Sequence, residues 1–587
     1  PWLVQPPPIL WVIFPDLAMQ HALRLVLLVP LATIASGLRV GSSEPEPYYW
    51  PSARGRANSY GVSGYDGPSN LTASLAWEWH HPDNRYATIA LGTVIDDKRN
   101  IYLAADDSIR KFNAVGDLLW KWSPAEGVNV PTVPCLYQGA LYGTTTDGHV
   151  YSLSMLTGKE LWTTRVALKN GATGSVQVKN DVVLVAADAD GPKLANKLVV
   201  GLDSTSGQHL WDFMPTAPVW NFLALFVPDN KKPSFVFQDM EGRGYKLEVA
   251  TGNLLWQNGG YDGTWTDGSV MFANGMVYTV ALHGCCCGPC SGGREMHESM
   301  MGTITAFRIR DGSLVWKKKV WRPPNVIPAV GRLTPDGPQM VIVPMGQNCG
   351  GMAPSDLWVL NANTGEAAWH LSMGRNPHIK CAGDLEGLEY RRSHGVRDCK
   401  APPFGAPTID FTGTIYMGNM DGNFYSVKQD KSGTGGYISS KMDAGAAFTS
   451  PGSAHAPGMV VVTSCDGLFV FNSHVRKVDF LSMPRPTVLE DAVNLTDTSP
   501  AALYAHKVEE KLGSPQALAK WKEEMEKAKT ESLLVKKEQE KQTGRTELKR
   551  GKAKMPNDAD FGDDEGLPDF DDASPSPAGR RPIQPHN

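Results

Sequence analysis

The chain has 587 residues, 42% of them hydrophobic, and a formal net charge of −5 at pH 7. This length is enough for several globular domains. The negative balance disfavours nucleic acids and anionic membranes as partners, because both repel an acidic surface.

The first residues have the composition of an export signal. Residues 1–18 precede the first methionine, Met19, and we expect them not to belong to the native protein. Residues 19–37 join a short positive stretch, the apolar run Leu25–Ala35 and small residues suited to cleavage, which predicts a secretory signal peptide. A retained signal anchor is the alternative, but this run of eleven residues contains Pro30, and a bilayer-spanning helix needs about 20. We therefore expect a mature chain without a stable membrane span, in the lumen of the secretory pathway or outside the cell.

Residues 38–73 are predicted to form an N-terminal extension ahead of the first strand. The triplet that begins at Asn70 is a glycosylation sequon, and a second sequon begins at Asn494. If the protein follows a eukaryotic secretory route, we expect glycosylation at these two asparagines.

From residue 74 the chain repeats one pattern. A short strand ends in a turn that contains Gly, and a Trp follows four residues after that Gly. Six copies carry the pair: Gly116 and Trp120, Gly158 and Trp162, Gly207 and Trp211, Gly252 and Trp256, Gly312 and Trp316, and Gly365 and Trp369. A period of roughly 40–60 residues made of short strands and turns is typical of a β-propeller with one four-stranded blade per repeat.

Two further repeats bring the predicted number of blades to eight. In the seventh copy we place Tyr437 at the position of the Trp. The last two strands, Met459–Ser464 and Leu468–Asn472, have no outer strand of their own, whereas Ser74–Trp79 is an outer strand without a preceding hairpin. Pairing these segments closes the ring and removes an exposed sheet edge. An open β-solenoid is the alternative, but it leaves both segments unpaired.

The repeats resemble the pyrroloquinoline quinone (PQQ) repeat family, whose consensus is Asp/Asn-x-x-Thr-Gly-x-x-x-Trp. The copies most similar to it are Leu360–Trp369 and Leu247–Trp256, and the resemblance covers residues 74–475. It implies an all-β, eight-bladed propeller of the quinoprotein alcohol dehydrogenase-like type, related to WD40 and YVTN repeats. The family contains quinoprotein dehydrogenases and also non-catalytic scaffolds of outer-membrane assembly, so the fold does not decide the function.

After the repeats the composition changes. Residues 476–550 are predicted to be a charged helical extension, with a helix that begins at Ser514. Residues 551–587 are rich in acidic residues, Gly and Pro, which predicts a disordered acidic tail.

Three long insertions fall on one face of the predicted ring, because the links between blades and the middle hairpin loops share that face. The insertions are His283–Met301 in blade five, Met345–Ser355 in blade six, and His370–Gly405 between blades six and seven. Seven of the nine cysteines lie in them: Cys285, Cys286, Cys287, Cys290, Cys349, Cys381 and Cys399. In an exported protein, disulfides that pin long loops are the first interpretation.

We expect Cys381 and Cys399 to form a local disulfide, and Cys349 to pair with a cysteine of the blade-five loop. Two other chemistries remain open. Cys287-Gly-Pro-Cys290 matches the tetrapeptide of thioredoxin redox sites, but it lies in a hairpin loop. Soft ligands select copper or zinc, and the metal-ligand candidates are His283, Cys287, Cys290, Met296, His297 and Cys349.

The PQQ resemblance implies a third chemistry for the same loop. PQQ dehydrogenases hold a disulfide between adjacent cysteines against the cofactor, and Cys285, Cys286 and Cys287 are the cofactor-binding candidates that fit it. Those enzymes also need Ca²⁺ held by Glu, Asn and Asp near the axis, and we place these ligands on no motif of the chain.

Isolated histidines are interpreted as polar surface: His149, His209 and His455. The sequence favours a non-catalytic propeller of the secretory pathway or cell exterior. We expect it to bind a protein partner or small ligand through the cysteine-rich face of blades five to seven, with no cofactor. The alternative is a dehydrogenase dependent on PQQ and Ca²⁺ that oxidises an alcohol or sugar.

Overall fold

The computed structural model describes residues 48–57, 59–169, 174–189, 196–227, 232–260, 264–283, 302–346, 354–375, 385–399 and 404–473. The predicted signal peptide (19–37), charged helix (476–550) and acidic tail (551–587) lie outside the described residues. The described residues form eight antiparallel sheets arranged as the blades of a propeller, which confirms the predicted fold class.

Each of the first four blades is an antiparallel meander of four strands, named in order from the innermost to the outermost. Blade one contains β2 (Ala90–Ile95), β3 (Ile101–Ala105), β4 (Ser108–Phe112) and β5 (Leu118–Trp122). Blade two contains β7 (Cys135–Tyr137), β8 (Ala140–Thr144), β9 (His149–Ser154) and β10 (Glu160–Arg165). Blade three contains β12 (Gln177–Lys179), β13 (Val182–Ala187), β14 (Leu198–Asp203) and β15 (His209–Phe213). Blade four contains β16 (Leu225–Val227), β17 (Ser234–Gln238), β18 (Arg243–Glu248) and β19 (Leu254–Gly259).

The other four blades repeat this order, with a split inner strand in blade five and an outer strand from the N-terminal side in blade eight. Blade five contains β20 (Thr264–Trp265) with β21 (Met271–Ala273), then β22 (Met276–His283), β23 (Gly302–Arg308) and β24 (Leu314–Val320). Blade six contains β25 (Ala329–Arg332), β26 (Gln339–Met345), β27 (Pro354–Asn361) and β28 (Ala367–Arg375). Blade seven contains β29 (Thr408–Ile409), β30 (Ile415–Gly418), β31 (Asn423–Gln429) and β32 (Gly436–Asp443). Blade eight contains β33 (Ala454–Ala456), β34 (Met459–Ser464), β35 (Gly467–Asn472) and β1 (Leu75–His80).

The ring has two unlike faces. The blade-to-blade links and the middle hairpin loops form what we call the upper face, and the inner hairpin turns and the Gly turns form the lower face. Two short parallel strands, β6 (Thr132–Val133) and β11 (Gly174–Ser175), join consecutive links. The described residues contain two helices, α1 (Leu71–Ser74) and α2 (Leu385–Ser393). Neither is long and apolar enough to cross a membrane.

The repeated Gly and Trp form a clasp between neighbouring blades. The indole of Trp211 donates a 2.9 Å hydrogen bond to the Val249 carbonyl in the turn of the next blade. Gly252 of that turn lies on the indole, and a Cβ there would stand 2.4 Å from the ring. Its φ of +68° is also strained for any residue with a side chain. The motif therefore couples a left-handed turn to a flat packing surface, which explains why Gly and Trp repeat together.

The same indole-to-carbonyl hydrogen bond recurs at the four other interfaces between blades one and six. The donors are Trp120, Trp162, Trp256 and Trp316, and the acceptors are the carbonyls of Met155, Ser204, Ile309 and Ala362. Because each bond joins one blade to the next, the clasps stabilise the ring as well as the individual blades.

Blade seven corrects the predicted position of its aromatic residue. Gly436 packs on Trp369 and is the motif Gly, and a bulge then brings Ser440, not Tyr437, opposite Ser426 at the Trp position. Tyr437 is half exposed. The Ser440 hydroxyl accepts a 2.9 Å hydrogen bond from the backbone of Leu71, which is fully buried at this interface. Helix α1 thus occupies the space that an indole fills elsewhere.

The N-terminal strand closes the ring as predicted. β1 pairs antiparallel with β35, and Leu75 lies opposite Phe471. Trp77 stands at the Trp position of blade eight and donates a 3.2 Å hydrogen bond to the Ala114 carbonyl of blade one. The N-terminal segment therefore contributes both the missing outer strand and the last clasp.

Candidate functional site: the axial channel and the upper face

The centre of the ring is filled by the chain itself. The segment 48–63, which we call the axial arm, contacts inner strands from several sides of the ring. Trp50 exchanges two backbone hydrogen bonds with Ile95 of blade one, at 3.0 and 2.8 Å. The Pro51 carbonyl accepts from Leu136 of blade two at 2.8 Å. Because inner strands line the channel of a propeller, these contacts place the arm on the axis.

Aromatic side chains fix the two ends of the arm. The Tyr60 hydroxyl accepts a 2.8 Å hydrogen bond from the Phe226 amide of blade four and donates to its carbonyl at 3.3 Å. The Tyr48 hydroxyl accepts from the Gly139 amide of blade two at 2.8 Å. The arm thereby uses the backbone polar groups of inner strands that no neighbouring strand satisfies.

Arg54 is the most unusual residue of the arm. It is fully buried, and its guanidinium donates to the carbonyls of Pro407 at 2.6 Å, Pro451 at 3.2 Å and Pro328 at 3.5 Å. Among the described residues no carboxylate pairs with it, and its Nε has no hydrogen-bond partner. Burial accordingly lowers the pKa of Arg54 to about 9. Three carbonyls therefore hold a cation that has no counter-ion in this part of the structure.

A buried histidine lies beside the arm. His455 is 1% exposed, with its ring 5.2 Å from that of Trp50. Its Nε2 lies 2.8 Å from the Thr408 hydroxyl and 3.0 Å from the Ser453 hydroxyl. Burial lowers the pKa of His455 to about 4, so the imidazole is neutral near pH 7. The interpretation of this histidine as polar surface was wrong, because the inner strand of blade eight faces the channel.

On the upper face, the link between blades six and seven reaches past blade seven. A disulfide joins Cys399 of this link to Cys465 in the middle loop of blade eight, with Cα atoms 5.9 Å apart. Arg391 of α2 forms a fully buried ion pair with Asp466 of the same loop. Arg397 lies 2.7 Å from Asp106 of blade one. The link is thus fastened at three points to blades eight and one.

Burial affects the ionisable side chains that fasten the link to blades eight and one. Burial raises the pKa of the Asp106 carboxyl, although the Arg397 guanidinium acts against it. Arg391 uses one nitrogen for Asp466, and its Nε and Nη1 have no hydrogen-bond partner among the described residues. Breaking one member of such a buried pair leaves an uncompensated charge, which is strongly destabilising. These buried contacts therefore fasten residues 391–399 of the link to the ring.

A cavity of about 330 Å³ opens on the lower face between blades six and seven. Its lining includes Leu333, Asn361, Glu366 and Gln429. The Trp369 indole donates at this site to the Gln429 side chain at 3.0 Å instead of to a turn carbonyl, because the turn of blade seven is longer. Glu366 is the one acidic side chain in this lining.

Comparison with known proteins gives the type of repeat. A family model described as the outer membrane protein assembly factor BamB matches residues 105–294, from blade one into blade five. The matched residues are thus similar to PQQ repeats. A curated BamB of Nitrosomonas eutropha is 26% identical over 172 residues, which cover 24% of this chain and 41% of that protein. The chain thus spans about two fifths of the length of this relative.

Solved structures with a similar fold include a BamB and two dehydrogenases. BamB from Moraxella catarrhalis has a TM-score of 0.46 and 16% identity, covering 68% of this chain and 97% of that one. Quinohemoprotein alcohol dehydrogenase from Comamonas testosteroni has a TM-score of 0.47 and 13% identity, covering 74% and 82%. A europium-containing methanol dehydrogenase has a TM-score of 0.47 and 14% identity, covering 73% and 99%.

The described channel of this propeller does not fit a quinone with its calcium ion. The axial arm fills the space between the inner strands, and its guanidinium already uses the carbonyls that face the axis. No group of three or more His, Cys, Asp or Glu among the described residues could hold a metal ion. Near the upper end, Asp267 and Asn325 bond to each other at 3.2 Å, and Asn325 also accepts from Thr266. The side chains of Asp267 and Asn325 thus use their polar atoms in bonds to each other.

The structure places only some of the predicted site residues. His283 ends β22, half-buried, with Nε2 2.9 Å from the Thr303 hydroxyl, and burial together with Lys317 and Lys319 lowers its pKa. Asn70 is exposed and caps α1 through a 3.0 Å bond from the Ala73 amide. The other candidates lie outside the described residues: Cys285, Cys286, Cys287, Cys290, Met296, His297, Cys349, Cys381 and Asn494.

Cys399 is disulfide-bonded as predicted, but its expected partner was wrong. It pairs with Cys465, not with Cys381, because the link is long enough to cross blade seven. Sequence reasoning missed Cys465, although its hairpin lies on the face that carries the insertions. It also missed Arg54, which stands in no repeat and matches no motif.

Proposed function

We propose that this protein is a non-catalytic binding or scaffolding propeller of the secretory pathway or cell exterior. The observation that carries the proposal is the axial arm. It fills the channel in which a PQQ-dependent dehydrogenase would need its cofactor, and it does so with a buried arginine that has no carboxylate beside it among the described residues.

The proposed binding surface is the upper face of blades five to seven. Trp321, at the upper end of the outer strand of blade five, is 70% exposed. Large exposed aromatics are enriched among residues that dominate binding energy. The described part of the link, residues 385–399, is fastened to the ring, and surfaces that are ordered before binding lose less entropy.

The described disulfide supports the proposed compartment. Disulfides persist in oxidising environments and are rare in the cytosol. The Cys399–Cys465 bond therefore agrees with the predicted signal peptide, and both favour export.

A first experiment separates this function from the alternative, a dehydrogenase dependent on PQQ and Ca²⁺. The purified full-length protein is titrated with PQQ and Ca²⁺ while cofactor absorbance and tryptophan fluorescence are followed, and dye reduction is measured with simple alcohols and sugars. We expect no saturable binding and no reduction. A stoichiometric complex that reduces the dye would establish the enzyme instead.

A second experiment tests the surface. A photo-crosslinking residue replaces Trp321 on the upper face or Phe411 on the lower face, two aromatics with similar exposure of 70% and 72%. In the exporting host we expect discrete adducts from position 321 and none from position 411. Adducts from position 411 alone, or from neither position, would contradict the proposed surface.

A further inference from the structure

The axial arm is an addition to the ring and is not part of any blade. All eight blades have their four strands without it. It joins the rest of the chain through the turn Gly64–Asp66, in which Gly64 is exposed. Its contacts with the ring are β-bridges from Trp50 to Ile95 and from Val62 to Ile409, together with hydrogen bonds between the Tyr48, Arg54 and Tyr60 side chains and backbone groups of the ring.

The ring side of these contacts comes from three successive blades. Pro328 and Pro407 immediately precede the innermost strands of blades six and seven, and Pro451 precedes that of blade eight. The three prolines stand ahead of the innermost strands of three successive blades, so their carbonyls reach the guanidinium from three neighbouring sides. Carbonyl oxygens arranged in this way recognise a cation by geometry, without a carboxylate.

The arm is shaped to present that cation. Gly61 donates a 2.8 Å backbone hydrogen bond to Arg54, which folds the arm into a narrow hairpin. A Cβ on Gly61 would stand 2.4 Å from the Arg54 guanidinium, and the φ of +71° excludes most side chains. On the other side of the hairpin, Gly55 lies against the Trp50 ring. The Trp and the Arg four residues later are thus locked in one arrangement.

We propose that the axial channel is a peptide-binding site that recognises a hairpin-shaped segment with a tryptophan and, four residues later, an arginine. The arm is its intramolecular ligand. The inner strands bind the backbone of the ligand, the three proline carbonyls bind its guanidinium, and the pocket beside His455 takes its indole. The arm is separable from the ring, and an equivalent peptide supplied in trans takes its place.

The test keeps the whole chain. A protease recognition sequence is inserted after Gly64, the protein is purified, and the site is cut. We expect the cut arm to stay with the ring in gel filtration. A fluorescent synthetic peptide of residues 46–64, in excess, should then replace it, as followed by anisotropy and mass spectrometry.

Variants of the cut protein identify the contacts that hold the arm. Gly61→Ala and Arg54→Lys should each speed release of the arm by roughly tenfold or more. The new methyl group of Gly61→Ala displaces the guanidinium, and the shorter lysine side chain of Arg54→Lys cannot bond to all three carbonyls. Gly64→Ala is the matched control, because a Cβ there meets nothing within 4 Å, and its release rate should not change.

Two results would overturn the proposal. If the arm leaves as soon as it is cut and the ring keeps its melting temperature, the channel has no affinity for it. If the ring loses its near-UV circular dichroism whenever the arm departs, or never exchanges with the peptide, the arm is a part of the core and not a ligand.

Discussion

Removing the Cys399–Cys465 disulfide should lower the stability of the ring by an amount that the structure sets. The bond closes a loop with a sequence separation of 66 residues. On the loop-entropy model, a closed loop of this length contributes about 4 kcal/mol. With an unfolding entropy of about 2.1 cal/mol/K per residue over a ring of roughly 400 residues, this corresponds to a fall in melting temperature of about 5 °C.

The variant is Cys399→Ala with Cys465→Ala, kept under oxidising conditions so that other cysteines are undisturbed. Its control is Cys135→Ala, which removes a buried thiol that forms no disulfide. Differential scanning calorimetry at one fixed scan rate gives the melting temperatures, because large proteins often unfold irreversibly. We expect the double variant to melt well below both the parent and the control.

Non-reducing peptide mapping of the parent gives the direct test of the pairing. A peptide that links Cys399 to any cysteine other than Cys465 would refute the fastening of the link to blade eight. A double variant as stable as the parent would refute the reasoning about the magnitude, since it would mean that the denatured chain is not constrained by this loop.

The remaining predictions concern the clasps and the channel. Gly252→Ala should destabilise the protein by at least about 2 kcal/mol in urea unfolding, because the new methyl group meets an indole at a left-handed φ, whereas Gly244→Ala meets only ordinary contacts and should cost far less. Trp77→Ala removes the last clasp and should cost about 3 kcal/mol, measured in the same way. Because burial lowers the pKa of His455 to about 4, the unfolded chain binds more protons below about pH 6.5. Stability should therefore fall as the pH drops from about 6.5 towards 4, and His455→Gln should flatten this part of the unfolding profile.

The sequence predicts the blades well because their information is local. Each copy carries its own turn Gly and its own Trp, so every clasp can be read from a short stretch of chain. The predicted closure by the N-terminal strand is also confirmed, because an outer strand without a sheet and a sheet without an outer strand can pair with each other. Tyr437 was misplaced because the turn of blade seven is longer and contains three glycines, of which the last, Gly436, is the one that packs on Trp369 and precedes the Trp position by four residues.

The contacts of the channel could not be predicted in the same way. Arg54 meets Pro328 and Pro451 across 274 and 397 residues of sequence. Arg54 lies in no repeat, and a segment whose arginine bonds to backbone carbonyls of the ring has no periodic sequence pattern. His455 shows the same difficulty, because a short inner strand does not reveal which side faces the axis.

One consequence of the architecture concerns the order of folding. The segment 48–80 contributes to the ring at three places. The arm fills the channel, α1 fills the gap at Ser440, and β1 supplies the outer strand of blade eight. Blade eight ends near residue 472, so this segment, which is synthesised before every blade, finds its partner only after almost the whole ring exists. Contacts across such separations must offset a large loss of chain entropy, and they form slowly.

Until then the edge of β35 is unpaired, and an unpaired edge promotes association. The carbonyl site for Arg54 needs blades six, seven and eight together, so the arm can bind only a nearly finished ring. Its binding therefore stabilises the closed ring at the stage when the incomplete one is most prone to aggregate.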